Sequence, residues 1–156
     1  MRRLMLAVLG VLLLAAFAAG ADEIRVSHCF AGDQVAAIND GVEPQSPTDR
    51  PRHSFWPHKG TTEWVECRFG TARRLTGTEV YWLDDTPGGD CPLPASWRVL
   101  FRHGDQWLPV GNTTAYGVDK GVFNRVEFEP VTTDALRLEV TSQAGRGSGI
   151  IEWDVR

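Results

Sequence analysis

The hydrophobic residues of this chain recur mostly at every second position, and almost never with helical spacing. In Trp64-Val65-Glu66-Cys67-Arg68-Phe69, Val65, Cys67 and Phe69 share one face while Glu66 and Arg68 share the other, the pattern of a half-buried strand. The same alternation predicts strands over 24–30, 79–83, 97–102, 106–110, 122–129, 135–141 and 149–155, which makes eight in all. Only Asp33 to Asn39 reads as one or two helical turns. Arg102-His103-Gly104-Asp105 has the chemistry of a tight hairpin turn. So many short strands separated by polar and Gly/Pro-rich segments predict an all-β, antiparallel sandwich.

Strands that cross such a sandwich in alternating directions place their connections at alternate ends. The short turns, 103–105 and 130–134, then fall at one end. The long segments 31–62, 84–96, 111–121 and 142–148 collect at the other. Long loops on a rigid scaffold are where function concentrates, and several of these carry aromatic and charged residues.

The start of the chain has a different character. Arg2 and Arg3 precede the apolar run Leu4 to Ala19, which ends in the small-residue site Ala19-Gly20-Ala21. That predicts a secretory signal peptide over 1–21, a domain over 22–156, and a secreted or periplasmic protein. Removing Arg2 and Arg3 leaves 14 basic against 20 acidic side chains, a formal charge of −6. Nucleic acid is excluded as a partner, because its recognition needs a basic footprint, and an anionic membrane surface is disfavoured for the same reason. Three cysteines permit one intramolecular disulfide. Cys29 with Cys67 is the preferred pair, worth about 4 kcal/mol by loop closure, with free buried thiols as the open alternative.

Candidate chemistry is sparse. His28, His53, His58 and His103 lack zinc-site spacing, and no nucleotide-binding or nucleophile motif is present. Asp84 and Asp85 are adjacent, so in extended geometry they point to opposite faces and do not flank one glycosidic bond. They suit hydrogen bonding to sugar hydroxyls or capping of the loop better than catalysis. Of the six tryptophans, Trp64, Trp97 and Trp153 fall in strand patterns, and Trp107 follows the hairpin turn. Trp56 lies in a long loop, and Trp82 precedes the acidic pair. An exposed indole beside polar side chains fits the face of a sugar ring, whereas a buried Trp56 or Trp82 would close one end of the core.

Several segments resemble a known family. Ala37-Ile38-Asn39-Asp40-Gly41, followed by a Trp-containing loop and Glu63-Trp64-Val65-Glu66-Cys67-Arg68-Phe69-Gly70, resembles the opening of discoidin or coagulation-factor type C domains of the galactose-binding-like superfamily. The similarity continues through Thr78–Trp82, Pro94–Leu100, the Gly104–Trp107 hairpin and Ala135–Val140. Asn39–Pro44, Trp56–Trp64, Phe123–Val126 and Gly149–Trp153 resemble more narrowly the C-terminal accessory module of bacterial β-L-arabinofuranosidase-type glycoside hydrolases. With the long loops at one end, Trp56 is expected to stack on a sugar and His58, Asp84, Asp85 and Arg146 to hydrogen-bond it, and the resemblance implies an eight-stranded jelly-roll sandwich with a noncatalytic carbohydrate-binding role. It also implies a structural Ca²⁺ held by Asp40 and Glu152, hard oxygen ligands that suit this ion. Arg68 departs from the family's usual Asp. A protein-interaction or adhesion module using the same loops is the alternative, since the fold hosts both roles. A sugar-active glycoside hydrolase partner would be a separate chain.

Overall fold

The computed structural model describes residues 22–156, so the expected signal peptide at 1–21 lies outside the described residues. The strands are β1 (Glu23–Val26), β2 (His53–Ser54), β3 (Thr62–Trp82), β4 (Ser96–His103), β5 (Gln106–Pro109), β6 (Phe123–Thr141) and β7 (Gly149–Val155). All pairings are antiparallel, in the order β2-β7-β3-β6-β4-β5, with β1 added on β3. A 3-10 turn, Val35–Asn39, stands where the sequence predicts helical turns over Asp33–Asn39.

Two long strands turn this ladder into two layers. β3 and β6 pair along almost their whole length, but the register slips between Arg68 and Arg73 and again between Leu75 and Gly77. Such irregularities bend and twist a strand pair. The Thr62–Arg68 half of β3 lies with β1 and, through β6, with β4 and β5; the Thr78–Trp82 half lies beside β7. The turn expected at 130–134 is therefore a bend within a continuous strand, and β3 bends likewise opposite it. All eight predicted stretches lie in or overlap strands, and β2, only two residues long, carried no periodic signal.

Alternation fixes what fills the space between the layers. Val65, Val99, Leu136 and Leu138 from one layer meet Val80, Val126, Ile150 and Trp153 from the other, all essentially inaccessible to water. Trp82 and Trp97 bridge the layers edge to face, 5.3 Å apart at 74°. On the outer face Arg137 lies between Trp64 and Trp107, 5.0 and 4.3 Å from their ring centroids. Glu66 is covered there by Arg68 and Arg137. Burial alone would raise the Glu66 pKa, but these two guanidiniums outweigh it and hold the carboxyl below its ordinary range.

The preferred disulfide is not formed: Cys29, Cys67 and Cys91 are all free thiols. Cys67 faces Ile24 across the β1–β3 ladder. Cys29 lies five residues beyond Ile24, roughly 16 Å along an extended chain, whereas a disulfide needs Cα atoms within about 7 Å. Past β1 the chain joins the other layer instead, with the Phe30 N–H donating to the Ser54 carbonyl at 3.0 Å. Burial pushes the Cys67 and Cys91 thiols up to about 12, which keeps both protonated and unreactive. Thiol titration should find three groups after denaturation, and a reductant should leave the melting temperature unchanged; a drop on reduction would contradict this.

Candidate functional site

Three loops meet at one end of the sandwich and are laced together by backbone hydrogen bonds. Gly60 N–H donates to the Arg146 carbonyl and Gly147 N–H to the Asp90 carbonyl, each at 2.9 Å. Phe55, fully buried, anchors the first loop by donating its N–H to the Ser148 carbonyl at 2.9 Å. Close approach at this junction requires glycine: a Cβ on Gly147 would lie 2.8 Å from Cys91 Sγ and 3.5 Å from the Trp56 ring. Between the loops lies a cleft of about 610 Å³, in the range of small-molecule sites. The fourth long segment, 111–121, does not line it.

The cleft brings together Trp56, Asp85 and Arg146. Trp56 is half-buried rather than sealed in the core, and Lys59 Nζ sits over its ring, 4.6 Å from the centroid. Asp85 accepts from Arg52 Nη2 and from the Cys91 N–H, both at 3.0 Å. Asp90 lies between Lys59 Nζ at 2.6 Å and Arg146 Nε at 2.7 Å. The Lys59 hydrogen bond holds the Asp90 carboxyl below its ordinary range.

Two of the expected site residues point elsewhere. His58 Nδ1 engages Glu63 Oε1 at 2.6 Å, and its ring stacks on His28 with centroids 4.0 Å apart. Glu63 also accepts from Ser27 and Thr61, and these bonds outweigh the effect of its burial, so its pKa is lowered. Asp84 is buried, accepts from the Thr86 N–H and hydroxyl at 3.0 and 2.5 Å, and pairs with Lys120 at 3.1 Å. Asp84 and Asp85 thus diverge, each committed to its own partners. Arg52, Lys59 and Asp90 were missed by sequence reasoning: their partners lie roughly thirty residues away, and aperiodic loops carry no signal of such pairing.

Asp40 and Glu152 do come together. Glu152 Oε1 accepts from the Gly41 N–H at 3.2 Å, while its Oε2 is buried without a partner. Burial, reinforced by the Asp154 and Asp40 carboxylates, pushes Glu152 up to about 8. A buried carboxyl oxygen without a donor, beside a second carboxylate, is the chemistry that a hard cation satisfies, so these residues fit calcium. No cluster of three or more His, Cys, Asp or Glu in metal-binding arrangement occurs among the described residues, so main-chain carbonyls would have to complete the shell.

No protein-family model matches the chain. Solved structures do. A chain of the Streptococcus pneumoniae beta-galactosidase BgaA superposes with a TM-score of 0.76 at 18% identity, covering 89% of this chain and 93% of that one. The chain has the galactose-binding-like β-sandwich fold. A family 32 carbohydrate-binding module from C. perfringens NanJ, in complex with galactose, gives 0.64 at 14% identity over 86% and 92% of the two chains. A pectin-binding carbohydrate-binding module gives 0.61 at 16% identity over 89% and 92%.

Proposed function

We propose that this chain is a noncatalytic carbohydrate-binding module whose ligand occupies the cleft at the loop end of the sandwich. The observation that carries this reading is the cleft itself, where a half-buried indole, Trp56, lines the wall beside the charged groups of Asp85, Arg146 and Asp90. A sugar ring presents C–H groups on its face and hydroxyls at its edge, and this wall matches both. The likeness to carbohydrate-binding modules in solved structures supports the same class. The divergence of Asp84 and Asp85 supports binding over hydrolysis, since glycoside cleavage needs two carboxyls flanking one bond. The signal-like segment at 1–21 supports a secreted or periplasmic setting. A glycoside hydrolase is a natural partner, and the resemblance to the arabinofuranosidase accessory module makes arabinan a ligand to include.

Calorimetric titration against galactosides, arabinan, pectin and chitosan oligomers tests the proposal. Binding should be weak for each site, because a shallow cleft exchanges hydroxyl contacts with water for contacts with protein. Failure of the folded protein to bind any of these sugars overturns it.

Calcium belongs to the proposal as a structural ion held by Asp40 and Glu152. Bound there, it would supply the positive charge that the buried Glu152 lacks and tie the loop at Asp40 to β7. Saturating Ca²⁺ should raise the melting temperature by about 4 °C or more over the chelated protein, and Glu152→Gln should remove that difference. Identical melting curves with calcium and with chelator would contradict it.

A further inference from the structure

The charges around the cleft fall into two groups with different balance. In the first, the side chains of Arg50 and Arg52 share Asp33, each at 3.6 Å, and Arg52 also reaches Asp85 at 3.0 Å. Two guanidiniums there face two carboxylates, and the group is neutral. In the second, a single carboxylate, Asp90, stands between two cations, Lys59 and Arg146. That group carries one uncompensated positive charge, on a chain whose formal charge is −4. It lies at the accessible mouth: the Lys59 and Arg146 side chains are each 41% exposed, and Lys59 lies over the Trp56 ring.

The hydrogen-bonding inventory points the same way. Both oxygens of Asp85 are taken, one by Arg52 and one by the Cys91 N–H, and both oxygens of Asp90 face cations. Each carboxylate in the cleft already has a cationic partner, with which an amino sugar's ammonium group would have to compete. Arg146 pairs with Asp90 as an ion pair, its Nε 2.7 Å from Oδ1 but not in hydrogen-bond geometry, and among the described residues no protein acceptor takes its two terminal amino groups. Lys59 likewise donates to Asp90 alone and keeps two of its three protons. The wall beside Trp56 therefore offers donors and positive charge. An anionic group is what accepts from a guanidinium edge and an ammonium together.

From this pairing of an unbalanced Lys59–Asp90–Arg146 triad with Trp56 we infer that the cleft selects acidic saccharides, the ring lying at Trp56 and its anionic group meeting Arg146 and Lys59. The inference rests on the carbohydrate-binding reading above and names the ligand class of that same site. Asp90 is then the internal competitor that holds the two cations in place until the ligand's charge shares them. A neutral sugar gains nothing from the excess charge, and a glucosamine oligomer is repelled by it.

The test compares oligogalacturonate with its fully methyl-esterified form, two ligands that differ in charge and little else, by calorimetric titration at low and moderate salt. The acid should bind about tenfold more tightly than the ester at low salt, with the gap narrowing as salt is added. Arg146→Gln and Lys59→Gln should each collapse that ratio towards one. Asp90→Asn should widen it by about fivefold, because the competing carboxylate is gone, an effect in the opposite direction that a merely structural role for Asp90 would not produce. A sulfated galactan in the same series separates a carboxylate from a sulfate ester as the preferred group. Equal binding of acid and ester, or binding of neutral sugars alone, overturns the acidic-saccharide inference and leaves the module reading intact. Absence of binding to every saccharide, with the protein folded, overturns both.

Discussion

Trp56→Ala is expected to weaken glycan binding by about 100-fold while leaving the protein folded. A large aromatic side chain at the centre of a small site carries a disproportionate share of the binding energy, typically about 2–3 kcal/mol, and little else in this cleft can contact the apolar face of a sugar. The loop should survive the substitution because its anchors lie on either side of the indole. Phe55 is fully buried and bonded to Ser148, and the His58 N–H donates to the Phe55 carbonyl at 2.9 Å. Calorimetry on the variant, with circular dichroism to check the fold, reads both effects. Unchanged affinity in a folded variant would mean that the sugar does not lie at Trp56.

Trp153→Ala is expected to have the largest effect on stability. Trp153 is 1% exposed, lies in β7 opposite Val80, and donates its indole N–H to the Thr78 hydroxyl at 2.5 Å. Truncation removes a large apolar side chain, leaves a cavity between the layers and deprives a buried hydroxyl of a donor. The sum is about 4 kcal/mol, a large fraction of the stability of a domain this size. Trp153→Phe keeps most of the volume and should lose less than half as much; Thr78 retains its own bond to the Asp154 carbonyl at 2.6 Å. Urea unfolding measures both. Equal losses in the two variants would assign the effect to the hydrogen bond rather than to packing.

The layers were legible in the chain because a period of two is imposed by the strand itself. Val65, Cys67 and Phe69 point inward, and Glu66 and Arg68 outward, because neighbours on a strand must alternate. The same rule anticipates that Asp84 and Asp85 part company. The continuity of β3 and β6 was not legible, because a bend through Gly70-Thr71-Ala72 and a turn have the same local composition. In the cleft, Trp56, Asp85 and Arg146 could be read as loop residues of the right chemistry. His58, two residues from Trp56, could not be placed by proximity, since Glu63 and His28 draw its ring away. The pairing of Lys59 and Arg146 on Asp90 depends on where three separate loops close, which no local pattern encodes. Cys29 and Cys67 were paired on strand-like surroundings alone, and the β1–β3 register separates them.

The claim on which the rest depends is that a saccharide binds where Trp56, Asp85 and Arg146 meet. Backbone NMR of the labelled protein, titrated with the tightest-binding oligosaccharide, tests this most directly. Shifts should concentrate at Trp56, over 85–91 and at Arg146, with the outer sheet face around Trp64 and Trp107 unmoved. Saturable shifts confined to that outer face, or to the opposite end around Arg125 and Arg156, would contradict it.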